Sequence, residues 1–256
     1  MDGRGSLGLL AMGYDRDEYR TKQPQDFISM FYPELSKELK DCTVLDVGCG
    51  RGAVSLSIAP YAKSVLGIDI DEGNIELCRE RAEAMGLTNV RFVKLSAFDL
   101  RPVERYDVVV LSDVLEHVQE QKALLERCID MMAPGGVMYL NTPNRWFPLE
   151  PHKRLPFLSY LPKGMADHYA KAFGKGSYDG YHLLSYGQFC SLLDSLPIRY
   201  SFKVQPNPRR RLYRIAAPLV TNAPCLWRFA NAFQVIVQRN ASLIDANILD
   251  NKIINP

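Results

Sequence analysis

Two short runs contain the residues with the strongest chemical potential. In the first, Val44-Leu45-Asp46-Val47-Gly48-Cys49-Gly50-Arg51-Gly52, glycines punctuate what reads as the end of a strand and the start of a helix. Residues without side chains there let a ligand reach the backbone closely, beside the N–H groups that open a helix. Asp69, in Gly67-Ile68-Asp69-Ile70-Asp71, follows about 20 residues later, where a ribose-binding acid belongs. A carboxylate suits a ribose because it accepts two hydrogen bonds at once, and charge-assisted bonds are the stronger kind. The spacing Gly48-x-Gly50-x-x-Ala53 also fits a dinucleotide fingerprint, so an NAD-dependent oxidoreductase is a competitor. Asp46 separates the two, because an acid just before the first glycine interrupts a strand that is ordinarily apolar in dinucleotide sites; its plain alternative is an edge or cap residue.

The second run is Leu111-Ser112-Asp113-Val114-Leu115-Glu116-His117-Val118. If the chain turns helical after Ser112, Asp113, Glu116 and His117 stand at i, i+3 and i+4 and share one face. Two carboxylates and an imidazole could then hold a divalent ion such as Mg2+, which would acidify an acceptor hydroxyl. His117 as a general base is a parallel possibility, since imidazole titrates near neutrality. The structural alternative is a polar turn that bonds only to its neighbours.

These runs need a scaffold, and the periodicity supplies one. Apolar strand candidates at residues 43–47, 64–69, 90–95, 107–111 and 136–141 alternate with helical stretches at 53–59, 72–85 and 119–132. That alternation predicts a parallel sheet with right-handed crossovers. A helix over 25–39, broken at Pro33, could cover the crevice, and Asp71 is placed to cap the helix after the second strand. A short helix at 186–193 and strands at 198–204 and 232–238 complete the chain, with residues 241–256 as a tail.

Between them, residues 143–181 change character to a mixture of proline, glycine, aromatic and basic residues, too long for an ordinary connection, and read as an inserted lid. His152 and His182 are candidate acceptor-side bases, with His168 behind them. Trp146, Tyr178 and Tyr181 could stack on a ring or a sugar, or simply pack. Arg145, Lys153, Arg154, Lys163, Lys171 and Lys175 outnumber Glu150, Asp167 and Asp179 in this stretch. A second basic cluster, Arg209, Arg210, Arg211 and Arg214, is open to three readings: a solvated loop, a grip on phosphates of a nucleotide- or lipid-linked sugar, or contact with an anionic membrane.

The glycine run resembles motif I of class I S-adenosylmethionine-dependent methyltransferases, and later segments follow that family in order over roughly residues 40–145. The resemblance implies a Rossmann-like, doubly wound, seven-stranded α/β sheet in a single domain over 1–256, with the lid after the fifth strand and a final antiparallel strand. It implies S-adenosylmethionine as cofactor, with Gly48, Cys49 and Gly50 shaping the methionine pocket, Asp46 organising it, Asp69 on the ribose and Ile70 packed on adenine. Ser96, Ala97 and Phe98 would line the adenine edge, Ser96 standing where the family usually has an Asp, and Leu111 would close the pocket. The Pro134-Gly135-Gly136 turn fits the family's entry to the fifth strand. Asp113, Glu116 and His117 resemble the positions associated with a metal in ubiquinone-pathway O-methyltransferases. The acceptor then implied is a small-molecule hydroxyl, with a sugar ahead of a phenol of the quinone-pathway type.

Composition narrows the partners. Among 256 residues, 31 Lys and Arg against 29 Asp and Glu leave a charge of +2, no footprint for general nucleic-acid binding. The segment after the fourth strand also lacks the Asn/Asp-Pro-Pro-aromatic run of an amino-methylating nucleic-acid enzyme. No apolar run spans a bilayer, the opening residues lack the basic cap and apolar core of a secretory signal, and the six cysteines show no metal or disulfide spacing. A cytoplasmic protein is expected.

Overall fold

The computed structural model describes residues 24–203, 228 and 230–239. Seven strands form one sheet in the order β3-β2-β1-β4-β5-β7-β6. They are β1 (Thr43–Val47), β2 (Ser64–Asp69), β3 (Val90–Lys94), β4 (Tyr106–Ser112), β5 (Met132–Pro143), β6 (Ile198–Phe202) and β7 (Ala232–Arg239). The first five run parallel, and β7 is antiparallel to both of its neighbours.

The central strands read as nearly continuous apolar runs because both faces of the sheet are covered. Leu45, Val47, Val109, Leu111, Met138 and Leu140 point to one face, while Val44, Val108, Val110, Val137 and Tyr139 point to the other. On the first face lie α4 (Gln121–Asp130), through Leu124, Leu125, Cys128 and Ile129, and α6 (Tyr186–Asp194), through Phe189 and Leu193. The second is covered by α2 (Ala53–Ile58) together with α1 (Pro24–Ile28). Helix α3 (Glu72–Ala84) packs Ile75, Cys78 and Ala82 against Phe92 and Leu56 near the sheet edge. Each fully buried large side chain contributes about 1.5–3 kcal/mol, so this two-sided core holds the crevice rigid.

Several boundaries differ from the sequence expectation. The helix expected over 25–39 is confined to α1 and is followed by 3-10 turns, one of them starting at Tyr32 with Pro33 just inside it. Phe27 and Phe31 are buried in the core, Phe27 edge-on to Tyr139 with ring centroids 4.9 Å apart. The fifth strand begins at Met132, ahead of the Pro-Gly-Gly turn, because a register shift between Tyr106 and Val108 absorbs that turn within the β4–β5 ladder. The insert contains a helix, α5 (Lys163–Ala172), anchored by Ala166 and Ala170 beneath Leu158 and Tyr178. The basic cluster at Arg209, Arg210, Arg211 and Arg214 and the tail 241–256 lie outside the described residues.

Strand order reverses beside β1, and in open α/β sheets the ligand crevice lies beyond the carboxyl ends of the strands at such a point. The glycine run, Asp69, Ser96, the Asp113–His117 segment and the start of the insert all leave the sheet at that edge.

Candidate functional site

The glycine run makes a sharp strand-to-helix turn with Gly48, Gly50 and Gly52 all at positive φ, 67°, 51° and 80°. Asp46, only 2% exposed, secures it from below: its carboxylate accepts from the Ser55 backbone N–H at 3.1 Å and from the Ser55 hydroxyl at 2.6 Å. Asp46 therefore ties β1 to the first turn of α2. The Asp69 carboxylate accepts from the Gly50 N–H at 2.8 Å through one oxygen and from the Asp71 N–H at 2.9 Å through the other. Each oxygen keeps a further lone pair, so a pair of vicinal hydroxyls can still be received. Asp71 caps α3 by accepting from the Asn74 N–H at 3.1 Å.

A Cβ added at Gly50 would meet no atom within 4 Å, so the chain leaves space above that turn for a ligand. Ile70 is 73% exposed and Phe98 41%, two apolar side chains presented to water beside the carboxyl ends of β2 and β3. Ser96 turns its hydroxyl inward as the cap of the short turn Ala97–Asp99, accepting from the Phe98 N–H at 3.3 Å. Leu111 is fully buried in the core, so only its main chain can face the crevice. These features fit S-adenosylmethionine: open space over a glycine turn, a carboxylate with spare lone pairs and exposed apolar flanks.

Gly48 is the least replaceable residue of the turn. A Cβ there would lie 2.5 Å from Val114 Cγ2, on a backbone already at φ 67°. Gly48→Ala should lower the unfolding free energy by about 1–3 kcal/mol and weaken S-adenosylhomocysteine binding. Thermal denaturation with and without ligand measures both, and an unchanged melting temperature would contradict this account of the turn.

After β4 the chain does not continue as an α-helix. Asp113 takes a left-handed conformation, φ 58°, and a single 3-10 turn follows over Leu115–His117. The helical face expected for Asp113, Glu116 and His117 therefore does not form. Asp113 faces β5, where it accepts from Asn141 Nδ2 at 2.8 Å. Glu116 turns inward and is fully buried.

His152, from the insert, is what joins Glu116. Its Nδ1 lies 2.8 Å from Glu150 Oε1 and its Nε2 3.4 Å from Glu116 Oε1. Burial alone would lower the His152 pKa, but the two buried carboxylates outweigh it and raise it to about 9. His117 shifts the other way, because partial burial disfavours its charged form and the neighbouring His152 adds to that. The His117 ring sits 5.2 Å from that of His152 and 5.1 Å from that of Tyr181, which itself lies 4.5 Å from His152. Glu116 Oε2 accepts from the Thr142 hydroxyl at 3.2 Å, whereas Oε1 is buried with no hydrogen bond among the described residues.

One ligand atom each from Glu116, His117 and His152 falls within 4.8 Å of the others, and Asp113 is not in this set. His182 contributes main chain: its N–H donates to the Glu116 carbonyl at 2.7 Å and its carbonyl accepts from Gln121 Nε2 at 2.8 Å. Its ring stands apart, with Nδ1 3.5 Å from Lys163 Nζ. The His168 ring bonds the Gly164 carbonyl on the exposed side of α5. Glu150, Thr142 and Asn141 were not singled out in the sequence. Glu150 reaches His152 because the chain turns tightly between them, the Arg154 N–H donating to the Glu150 carbonyl at 2.8 Å, and no periodicity in the sequence signals that turn.

Residues 38–172 match a family described as a methyltransferase domain. A ubiquinone biosynthesis O-methyltransferase from Shewanella sp. is 39% identical over 104 residues, which cover 40% of this chain and 44% of the relative. Another from Leptothrix cholodnii is 36% identical over 110 residues, covering 42% and 47%. The chain thus spans about half the length of these curated relatives. Among solved structures, an S-adenosylmethionine-dependent methyltransferase from Clostridium acetobutylicum superposes with a TM-score of 0.60 at 11% identity, over 86% of this chain and 92% of that one, a likeness of fold.

Proposed function

The chain belongs to the methyltransferase-domain family, with S-adenosylmethionine as its cofactor, and on that premise we propose that it methylates a phenolic hydroxyl on a small molecule of the quinone-pathway type. The observation that carries the proposal is Glu116, a fully buried carboxylate whose Oε1 faces His152 Nε2 at 3.4 Å beside the His117 ring. A hydroxyl must lose a proton to accept a methyl group, and this cluster is built to handle one. Tyr181, 5.1 Å from the His117 ring and 4.5 Å from the His152 ring, gives the cluster an aromatic neighbour that suits a flat acceptor. The sugar preference drawn from the sequence finds no support among the relatives, and family membership removes the oxidoreductase alternative.

When bound, S-adenosylmethionine supplies a methyl group already activated on a sulfonium. What remains for the protein is alignment, exclusion of water and removal of the proton. Asp69 and the glycine turn would hold the ribose and the methionine end, with Ile70 and Phe98 available to flank the adenine. His117, kept neutral by partial burial, offers a nitrogen to the acceptor proton. His152, kept cationic by Glu116 and Glu150, ties those two carboxylates together and fixes the wall beside His117.

A second reading comes from the donor set. One carboxylate and two imidazoles bring a ligand atom each within 4.8 Å of the others, and they would hold a divalent ion that acidifies the hydroxyl directly. Two imidazoles suit a transition ion such as Zn2+ or Fe2+ better than Mg2+, and the ligand from the insert replaces the expected Asp113.

Incubation with S-adenosylmethionine and a panel of catechols and nucleotide sugars, with and without EDTA, tests both, with mass spectrometry as the readout. Methylated catechol is the expected product. Its loss in EDTA would favour the metal reading, and methylation of the sugars alone would overturn the acceptor class.

A further inference from the structure

We propose that Cys49 and Cys78 form an oxidant-sensing site: a peroxide joins them in a disulfide, and the disulfide disables the cofactor turn. The two thiols come from different elements and meet beneath the glycine run. Cys49 lies within that run, and Cys78 lies on α3, packed with Leu56, Ile75, Ala82 and Phe92. Both sulfurs gather at one carbonyl, for Gly50 O lies 3.3 Å from Cys78 Sγ and 3.9 Å from Cys49 Sγ. They also hydrogen-bond to each other, with the Cys49 S–H donating. Both are free cysteines.

The pair differs from thiols that only fill space. Buried structural cysteines are inert because burial keeps them protonated, and Cys42, Cys128 and Cys190 are all pushed up in this way. Cys78 moves in the opposite direction: the bond from Cys49 outweighs burial and favours the thiolate, while the same bond holds the proton on Cys49. Arg81 adds to the effect, and its guanidinium ties α3 to the turn by donating to the Arg51 carbonyl at 2.9 Å. Cys49 keeps 8% of its surface exposed, and the adjoining Gly50 faces open space, so a small oxidant can approach from the turn.

Hydrogen peroxide takes two electrons from the pair. Both S–H bonds and the O–O bond break, one S–S bond forms, and the two sulfur protons leave on the two oxygens as water. A disulfide holds its sulfurs about 2.05 Å apart, closer than hydrogen-bonded thiols, so the turn must be drawn toward α3. The turn has no slack on that side, since a Cβ at Gly52 would already lie 2.8 Å from Cys78 Sγ. Gly50 adjoins Cys49, and its N–H fixes the Asp69 carboxylate at 2.8 Å. Oxidation therefore displaces the glycine turn and its acid together, the two parts assigned to the cofactor. The inference rests on the cofactor assignment and stands or falls separately from the acceptor class.

The test treats the full chain with hydrogen peroxide and digests a portion without reduction. Mass spectrometry should find the peptides of Cys49 and Cys78 joined, lighter than their sum by the hydrogens lost. The affinity of the oxidised protein for S-adenosylhomocysteine should fall roughly tenfold or more, because small displacements in a positioned site are costly, and should return with dithiothreitol. Cys78→Ser keeps a hydroxyl near the Gly50 carbonyl, so it should bind like the wild type before peroxide and retain that affinity afterwards. Cys78→Ala is the second variant, for the case in which a buried hydroxyl impairs folding. Absence of the joined peptide would overturn the proposal, as would a cross-linked protein of unchanged affinity. So would a Cys78 variant that loses affinity to peroxide as the wild type does, because another residue would then be the target.

Discussion

Glu116→Gln should reduce turnover by about 10²–10⁴-fold and leave S-adenosylhomocysteine binding nearly intact. The substitution keeps the volume of a fully buried side chain and leaves an oxygen to accept from the Thr142 hydroxyl. It removes the negative charge that faces His152 across 3.4 Å. Without that charge the His152 imidazolium keeps only Glu150 as a partner, and neither a proton nor an ion is held as before. The loss should therefore appear in kcat, because the residue touches the reacting end of the crevice and not the cofactor turn. Steady-state kinetics beside calorimetry makes the comparison. Wild-type kcat in the variant would remove Glu116 from the chemistry and leave its pairing with His152 a purely structural one.

Asp69→Ala should weaken S-adenosylhomocysteine binding by at least about 100-fold, since hydrogen bonds to a charged group contribute about 1.5–3 kcal/mol each and two hydroxyls are served. The change also frees the Gly50 and Asp71 N–H groups, so the glycine turn loses the brace that fixes its shape. Asp69→Asn, which retains an acceptor oxygen, should fall between the two. Calorimetric titration of the three proteins decides it, with NAD as the contrasting ligand. Equal affinity in all three would place the ribose elsewhere, and tight NAD binding would contradict the cofactor.

The cofactor half of the site was legible in the sequence because it is local. Asp46, Gly48, Gly50 and the first helical residues occupy one strand-turn-helix, and Asp69 closes the next strand, so spacing along the chain translates directly into position. The strands at 43–47 and 64–69 appear with the expected limits for the same reason: buried parallel strands leave a dense apolar signal. The acceptor half was legible only in part. Glu116 and His117 stood out by residue type, but helical spacing grouped them with Asp113, and the left-handed turn at Asp113 dissolves that face. The partner that does arrive, His152, comes from 36 residues further along the chain, through a hairpin whose geometry depends on two left-handed residues that are not glycine. Sequence periodicity carries no information about such an encounter. Helix α5 was hidden for a different reason: the surrounding prolines and glycines masked a short stripe of alanines.

The insert leaves and rejoins the sheet at almost the same point, for Asn144 and Leu184 form a parallel bridge and the Arg145 N–H donates to the Leu184 carbonyl at 3.0 Å. A loop with its ends already fastened together is a cartridge. Its length and content can change at little thermodynamic penalty, because doubling a closed loop costs only about 0.6 kcal/mol in entropy. The sheet and the cofactor turn need not register the exchange. A new acceptor preference therefore arises by replacing one contiguous segment, and grafting residues 144–184 onto a related sheet would carry Glu150 and His152 across together, to meet whatever that sheet presents at the positions of Glu116 and His117.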